Sequence, residues 1–136
     1  MSNEIKIIVC EVGKLAREDV IENKLEKMQE KVQGYIECFD LDEKTTIVCN
    51  DEGKINGMPL NRAIRDEDGK IQEVIAGDFF IAGFDYKTGN MKSLDENQIK
   101  DLLEKFNYPE EILLINGEVF ASKYEPKTNE NKDKIR

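Results

Sequence analysis

The residues best suited to chemistry lie in one polar stretch of the sequence, Asn50 to Lys70. This stretch combines amide groups that donate and accept hydrogen bonds with planar guanidinium forks that suit a carboxylate or a phosphate. A glycine permits positive φ there, and a proline stiffens the chain after it. We therefore predict a ligand- or partner-binding loop whose site residues are Asn56, Gly57, Pro59, Asn61, Arg62 and Arg65.

The length of this stretch supports that interpretation. It joins two strand-like segments, whereas a hairpin connection normally takes about 2 to 5 residues. Its apolar residues Met58, Leu60, Ala63 and Ile64 indicate a packed loop and not a linker. A structural alternative stays open, in which Arg62 pairs with an internal carboxylate and the asparagines cap turns.

Catalytic groups are scarce elsewhere. The chain has no histidine, which removes the commonest general base and the commonest metal ligand. Cys10, Cys38 and Cys49 each lie in an apolar, strand-like run without a C-x-x-C motif, so we predict buried structural thiols in a reducing compartment. We predict no catalytic residue, metal site or cofactor, and no enzymatic activity. A histidine-free enzyme that uses carboxylates remains an alternative, since acidic residues number 29.

The charge pattern restricts the partners. The net charge is −9 and the two signs are interleaved, so we expect no direct binding to nucleic acid, which needs clustered lysine and arginine. An acidic surface that mimics DNA and inhibits a nuclease or a DNA-binding protein is the second hypothesis. The sequence shows no signal peptide and no run of about 18 apolar residues, so we expect a cytoplasmic protein that does not contact a membrane.

Hydrophobic periodicity predicts the elements that position the polar stretch. Ile5 to Val12 is apolar on both alternating faces, as in a central strand, and the charged LAREDVIE segment reads as an edge strand. YIECFDL and TTIVC are typical of an antiparallel pair. IQEVIAGDFFIAGFD is one long strand or two strands broken at Gly77, and its Phe79, Phe80 and Phe84 line a pocket or belong to the core.

Two helices and a terminal hairpin complete the chain. Asn23 and Glu26 predict a capped helix over residues 24–33 with Leu25, Met28 and Val32 on one face. Ser93 and Glu96 form a second capping box, which precedes Ile99, Leu102, Leu103 and Phe106 at helical spacing. Asn116-Gly117 between two apolar runs predicts a two-residue hairpin turn.

These elements predict an α+β fold in which two helices pack on a largely antiparallel mixed sheet. We expect a single domain over residues 1–122 and a disordered tail over residues 123–136, which has almost nothing to bury. A homodimer is also conceivable, because LAREDVIE or the terminal hairpin presents a free sheet edge.

The order of these segments resembles an uncharacterised family, number 3846 among the domains of unknown function. The resemblance covers about Ile5 to Leu103 and rests on N-x-E-G-K-x-N-G-x-P-x-N-R from Asn50 to Arg62 and on I-x-G-x-F-F-I near Gly77. It implies an accessory protein of phages and mobile elements of Gram-positive bacteria. It implies no activity, and it makes the Asn50 to Lys70 stretch the signature surface of the family.

The leading functional hypothesis is therefore a non-enzymatic binding protein in the cytoplasm of a bacterial host. It would bind a host or defence protein, or a small anionic, nucleotide-like ligand, through the loop over residues 50–70. An anti-defence role follows from the resemblance alone.

Overall fold

The computed structural model describes residues 3–126, so the part of the expected tail beyond residue 126 lies outside the described residues. In chain order the elements are β1 (Glu4–Cys10), β2 (Arg17–Glu22), α1 (Leu25–Val32), β3 (Ile36–Asp40), β4 (Thr45–Asn50), β5 (Leu60–Arg65), β6 (Ile71–Ala76), β7 (Phe79–Asp85), β8 (Asn90–Lys92), α2 (Glu96–Lys105), β9 (Glu110–Ile115) and β10 (Glu118–Lys123).

The strands form one large sheet and two hairpins. The sheet has the order β2-β1-β7-β4-β3, with β8 paired to β7, while β5–β6 and β9–β10 form separate two-stranded ladders. Every strand pair among the described residues is antiparallel. The α+β class with two helices and an antiparallel sheet is confirmed.

The large sheet is buried on both faces, as the double apolar pattern of β1 predicts. Ile5, Ile7 and Val9 belong to the core cluster that α1 covers with Met28 and Val32. Ile8 and Cys10 point to the opposite face, where the core cluster includes residues of β5, β6 and α2. β1 and β7 therefore lie at the centre of a layered structure, and β2 and β3 form the edges of the sheet.

Helix α1 differs from its prediction at its start. The expected N-cap at Asn23 is wrong, because Lys24 occupies that position without a side-chain cap and the Asn23 amide instead donates to Met91 O over 3.1 Å. Leu25, which was expected on the buried face, is 58% exposed. The helix ends where Gln33 adopts φ 64°, a left-handed conformation that stops helical bonding.

Helix α2 has the predicted buried face but a different cap. Asp95 is the N-cap and exchanges hydrogen bonds with Gln98 in a capping box, two residues later than the predicted box at Ser93. The Ser93 hydroxyl instead accepts from Lys6 N at 2.9 Å, so it fixes the connection to β1. Ile99, Leu102 and Phe106 are buried as predicted.

The stretch over residues 50–70 is not one loop. It contains a turn over residues 51–57, strand β5 and a second turn over residues 66–70 before β6. The apolar Ala63 and Ile64 are buried as strand residues, which is why the segment folds into a hairpin. The sequence 71–85 forms two strands, β6 and β7, separated at Gly77, whose φ is 81°.

The aromatic residues and the last hairpin follow the patterns in the sequence. Phe79 and Phe80 are buried in the core clusters on opposite faces of the sheet, while Phe84 packs edge-on against Tyr86. Asn116 and Gly117 both have positive φ, and the two-residue turn between β9 and β10 is confirmed. No helix among residues 3–126 is long and apolar enough to cross a membrane.

Candidate functional site

A cleft of about 710 Å³ lies between the β3–β4 hairpin of the large sheet and strand β6, and the turn over residues 51–57 borders it. We call it the β3–β6 cleft. Its apolar lining includes Phe39, Leu41, Cys49, Ile64, Val74 and Ile75. All six are buried or half-buried, so the bottom of the cleft is an extension of the core between the sheet and the β5–β6 hairpin.

The charged lining of the β3–β6 cleft is predominantly acidic. Five carboxylates and two cations contribute to it, namely Glu37, Asp40, Asp51, Asp66, Glu73, Lys54 and Arg65. Both cations are paired with carboxylates, Lys54 with Glu73 and Arg65 with Glu110. The cleft therefore presents an apolar bottom and an uncompensated negative rim, which favours a cationic, partly apolar ligand over an anion.

Asn50 fixes the turn over residues 51–57. Its side-chain amide donates to Val32 O at 3.0 Å and to Gln33 O at 3.2 Å, while its side-chain oxygen accepts from Glu52 N at 2.8 Å. One buried amide thus satisfies carbonyls at the end of α1 and starts the turn. The position of the turn beside the cleft depends on this residue.

Gly53 brings the same turn close to β6. A Cβ atom at this position would lie 2.8 Å from Ala76 O, closer than side chains approach a backbone. Gly57, four residues on, has φ 71° and open space around it, so it serves the turn through its conformation and not through a contact. The two glycines have different physical roles in one turn.

The tip of the turn is open to solvent. Ile55 is 84% exposed, and Asn56 beside it is also exposed. Lys54 bonds Glu73 of β6 across the cleft at 2.5 Å, and this bond lowers the pKa of the Glu73 carboxyl. The side chains of Ile55 and Asn56 form no comparable side-chain bond among the described residues, which makes them available to a partner.

The predicted site residues Asn61 and Arg62 face the interior. The Asn61 amide donates to Cys10 O at 2.8 Å and to Gly77 O at 2.9 Å, and Asn61 is 1% exposed. Arg62 is 0% exposed. These two hydrogen bonds link the end of β1 to the β6–β7 connection at Gly77.

The Arg62 guanidinium lies in a cage of oxygen atoms. It donates to Phe106 O at 3.1 and 3.2 Å, to Lys14 O at 2.8 Å and to Asn61 Oδ1 at 2.7 Å. Burial lowers its pKa, while the nearby Cys10 and Glu110 act in the opposite direction. Arg62 therefore connects β5, the turn after β1 and the end of α2, instead of pairing directly with a carboxylate as the structural alternative supposed.

Arg65 is the predicted site residue that the structure places at the β3–β6 cleft. Its guanidinium bonds both carboxylate oxygens of Glu110, at 2.7 and 3.3 Å. The Glu110 side chain is 1% exposed and that of Arg65 is 28% exposed. Asn56, Gly57 and Pro59 lie in or after the exposed turn, so the structure does not bring the six predicted residues into one site.

The thiols do not form a reactive site. Cys10 and Cys49 are buried as predicted, but the expectation for Cys38 is wrong, because it is exposed on the edge strand β3. Burial raises the pKa of Cys10 to about 12 and that of Cys49 to about 11, and it also raises the pKa of Cys38. Thiols with raised pKa are poor nucleophiles because little thiolate is present near neutral pH.

A protein-family model described as "Domain of unknown function (DUF3846)" matches residues 5–107. The chain belongs to this family. The matched part of this DUF3846 protein extends from β1 to just after α2, so it contains the β3–β6 cleft, while the β9–β10 hairpin follows it. Comparison with curated proteins and with solved structures returned no match.

Sequence reasoning missed most of the residues around the β3–β6 cleft. Glu37 and Asp40 lie on β3 and Glu73 on β6, and no motif joins these distant segments. One signal was present, since Ile55 is an isolated apolar residue inside a polar turn. Single exposed apolar side chains are common on protein surfaces, so the 84% exposed Ile55 did not by itself indicate a site.

Proposed function

We propose that this DUF3846 protein is a non-catalytic binding protein that receives a basic, partly apolar segment of a protein partner in the β3–β6 cleft. The lining of the cleft carries the proposal, because an apolar bottom lies beside an acidic rim. Its volume falls within the range of about 300 to 1,000 Å³ that is usual for ligand pockets. The exposed Ile55 would add an apolar contact at the mouth.

The cleft residues favour a protein partner over a nucleotide-like ligand. Lys54 is bonded to Glu73, and Arg65 is bonded to the buried Glu110. A phosphate would have to displace these carboxylates and would meet Glu37, Asp40 and Asp51 at the same rim. A lysine or arginine side chain meets carboxylates there, and its aliphatic stem suits the apolar bottom.

Two features support binding without catalysis. The three thiols have raised pKa values, so none is activated as a nucleophile. The carboxyl groups whose pKa is shifted, Asp19 and Glu73, both have lowered values. A general acid at neutral pH needs the opposite shift.

The biological setting is proposed from the family resemblance. It places the protein among the accessory proteins of phages and mobile elements, acting on a host or defence protein in the bacterial cytoplasm. An acidic protein that binds a basic segment of a nuclease would also act as the DNA mimic of the second hypothesis. These two roles differ in whether the bound segment is the nucleic-acid site of the partner.

Fluorescent peptides test the proposed cleft. We expect a peptide that alternates lysine or arginine with leucine or phenylalanine to bind, and ATP or an acidic peptide of the same length not to bind. The double variant Glu37→Lys with Asp51→Lys should weaken binding at least about tenfold, because it reverses two charges at the rim. Fluorescence anisotropy at two salt concentrations measures both effects.

A matched pair of substitutions gives the control. Glu67→Lys with Asp68→Lys makes the same change in net charge at exposed positions of the turn over residues 66–70, outside the cleft lining. Binding by this variant should fall less than about twofold. Equal losses in both double variants would show attraction by net charge alone and would contradict the proposal, as would tighter binding of ATP than of the basic peptide.

A further inference from the structure

The β9–β10 hairpin exposes apolar residues on both of its faces. Leu113 and Phe120 pair across the strands on one face and are 47% and 48% exposed. Leu114 and Val119 pair on the other face and are 70% and 38% exposed. None of these four residues lines the β3–β6 cleft, and the hairpin follows the residues that the DUF3846 model matches.

The outer edge of β10 differs from that of the edge strand β2 in its charge. Among residues 3–126, β10 pairs only with β9, which leaves one backbone edge open. The edge strand β2 is protected by Arg17, Glu18, Asp19 and Glu22, since charged side chains discourage strand pairing. In β10 the charges are confined to its two ends, and Val119 to Ser122 are uncharged.

We propose that β10 pairs antiparallel with β10 of a second copy of this chain, about a two-fold axis at Phe120. An axis perpendicular to the sheet keeps each face on its own side, so residues opposite each other must belong to the same face. Centring on Phe120 places Val119 opposite Ala121 and Glu118 opposite Ser122 of the second copy. No two like charges meet, which is the reason for assigning the edge to a second copy.

Neighbouring registers fit less well. Centring the axis on Val119 places Glu118 opposite Phe120 of the second copy, a charge against an aromatic ring. Centring it on Ala121 places Lys123 opposite Val119 and shortens the ladder. With Phe120 at the axis, the two exposed Phe120 rings cover each other. The Leu113 of each copy lies beside the Phe120 of the same copy, on the side away from the axis.

The backbone of β10 suits this pairing. A two-residue hairpin turn makes Ile115 and Glu118 a hydrogen-bonded pair, so the N–H and C=O groups of Val119 and Ala121 point toward the open edge. In the proposed register these residues face each other and exchange hydrogen bonds. Ala121 O also accepts from Arg65 Nη2 at 3.4 Å and keeps a second lone pair for the partner strand.

Sedimentation equilibrium of the full chain over a wide concentration range tests the interface. We expect the average mass to rise from one chain to two. Added salt should strengthen association, because each copy carries a net charge of −9 and the copies repel at low salt. Phe120→Glu should raise the dissociation constant at least about tenfold, because two carboxylates then meet at the axis.

Charge pairing tests the register itself. Phe120→Lys alone should weaken association to a similar extent, whereas an equimolar mixture of the Phe120→Glu and Phe120→Lys variants should associate again as opposite charges meet across the axis. Val20→Glu on the edge strand β2 is the matched control, since Val20 is 46% exposed, and it should leave association unchanged.

Three results would overturn the proposal. These are a chain that stays monomeric at every concentration, a dimer that survives Phe120→Glu, and a mixture that does not associate although each variant shows an unchanged melting temperature. Peptide binding in the cleft is measured separately, so failure of the dimer does not count against the proposed function.

Discussion

At the scale of single residues, Arg62 shows how a polar group that looks functional can serve the fold. Its donors satisfy the carbonyls of Phe106 and Lys14, and those bonds span 44 and 48 positions of the chain. Because nothing local in the sequence indicates that these carbonyls will surround Arg62, its burial could not be predicted. The Asn116-Gly117 turn was predictable because its geometry depends on those two residues themselves.

Arg62→Ala should therefore destabilise the fold. Truncation leaves the buried Phe106 carbonyl and the part-buried Lys14 carbonyl without the Arg62 donor, and a buried group left unpaired costs roughly 1 to 3 kcal/mol. We expect the free energy of unfolding in urea to fall by about 3 kcal/mol or more. Arg62→Lys should recover only part of it, since lysine lacks the planar fork.

The control is Arg17→Ala, because the Arg17 side chain is 46% exposed and its ion pairs are at the surface. It should cost less than about 1 kcal/mol. A melting temperature of Arg62→Ala that matches the parent protein, together with lost binding, would restore Arg62 to the binding role predicted from the sequence.

At the scale of elements, some residues of the turn over residues 51–57 determine its shape, and others are exposed at its tip. Asn50, Gly53 and Gly57 shape it, whereas the side chains of Ile55 and Asn56 are exposed at its tip. The backbone N–H of Asn56 still stabilises the turn by donating to Glu52 O at 2.8 Å. The sequence motif could be recognised as a unit, but its division into fold-forming and exposed members needed the positions of α1 and β6. Those positions come from long-range pairing and not from the motif.

Gly53→Ala should damage this element more than a change at Gly57. The added Cβ would lie 2.8 Å from Ala76 O, so the turn must move away from β6, at a cost of roughly 1 to 3 kcal/mol. The same movement displaces Asp51 and Ile55, which line the β3–β6 cleft, and should weaken peptide binding there. Gly57→Asn should be nearly neutral in both assays, since asparagine tolerates positive φ and the site is open. Equal losses from the two variants would contradict this division of roles.

At the scale of the whole molecule, the two core clusters share β1, β4 and β7, whose side chains alternate between them. The double apolar pattern of β1 predicted this arrangement, because a strand buried on both faces needs a layer on each side. The contribution of β5 to one of those layers could not be predicted, since its residues were expected to lie in a loop. Because both clusters pack on these three strands, unfolding of the strands exposes both clusters at once, which supports the proposed single domain.

The rates at which the thiols react with a disulfide reagent test this cooperativity. Cys38 is exposed and should react in the native state, more slowly than a model thiol because its pKa is raised. Cys10 and Cys49 lie in the same cluster, on β1 beside α2 and on β4 beside the β3–β6 cleft. If the chain is one cooperative unit, these two thiols should become reactive only through global unfolding. The reaction rates of both thiols should then rise in parallel as urea is added, with the same urea dependence as the unfolding equilibrium.

Single-cysteine variants, which keep one thiol each, assign each rate to its residue. Phe80→Leu is a destabilising change on the shared strand β7, and it should accelerate the reaction of both buried thiols by the same factor. Earlier reaction of Cys49 would instead show local access to this thiol, either through the β3–β6 cleft that it lines or by opening of the β5–β6 hairpin.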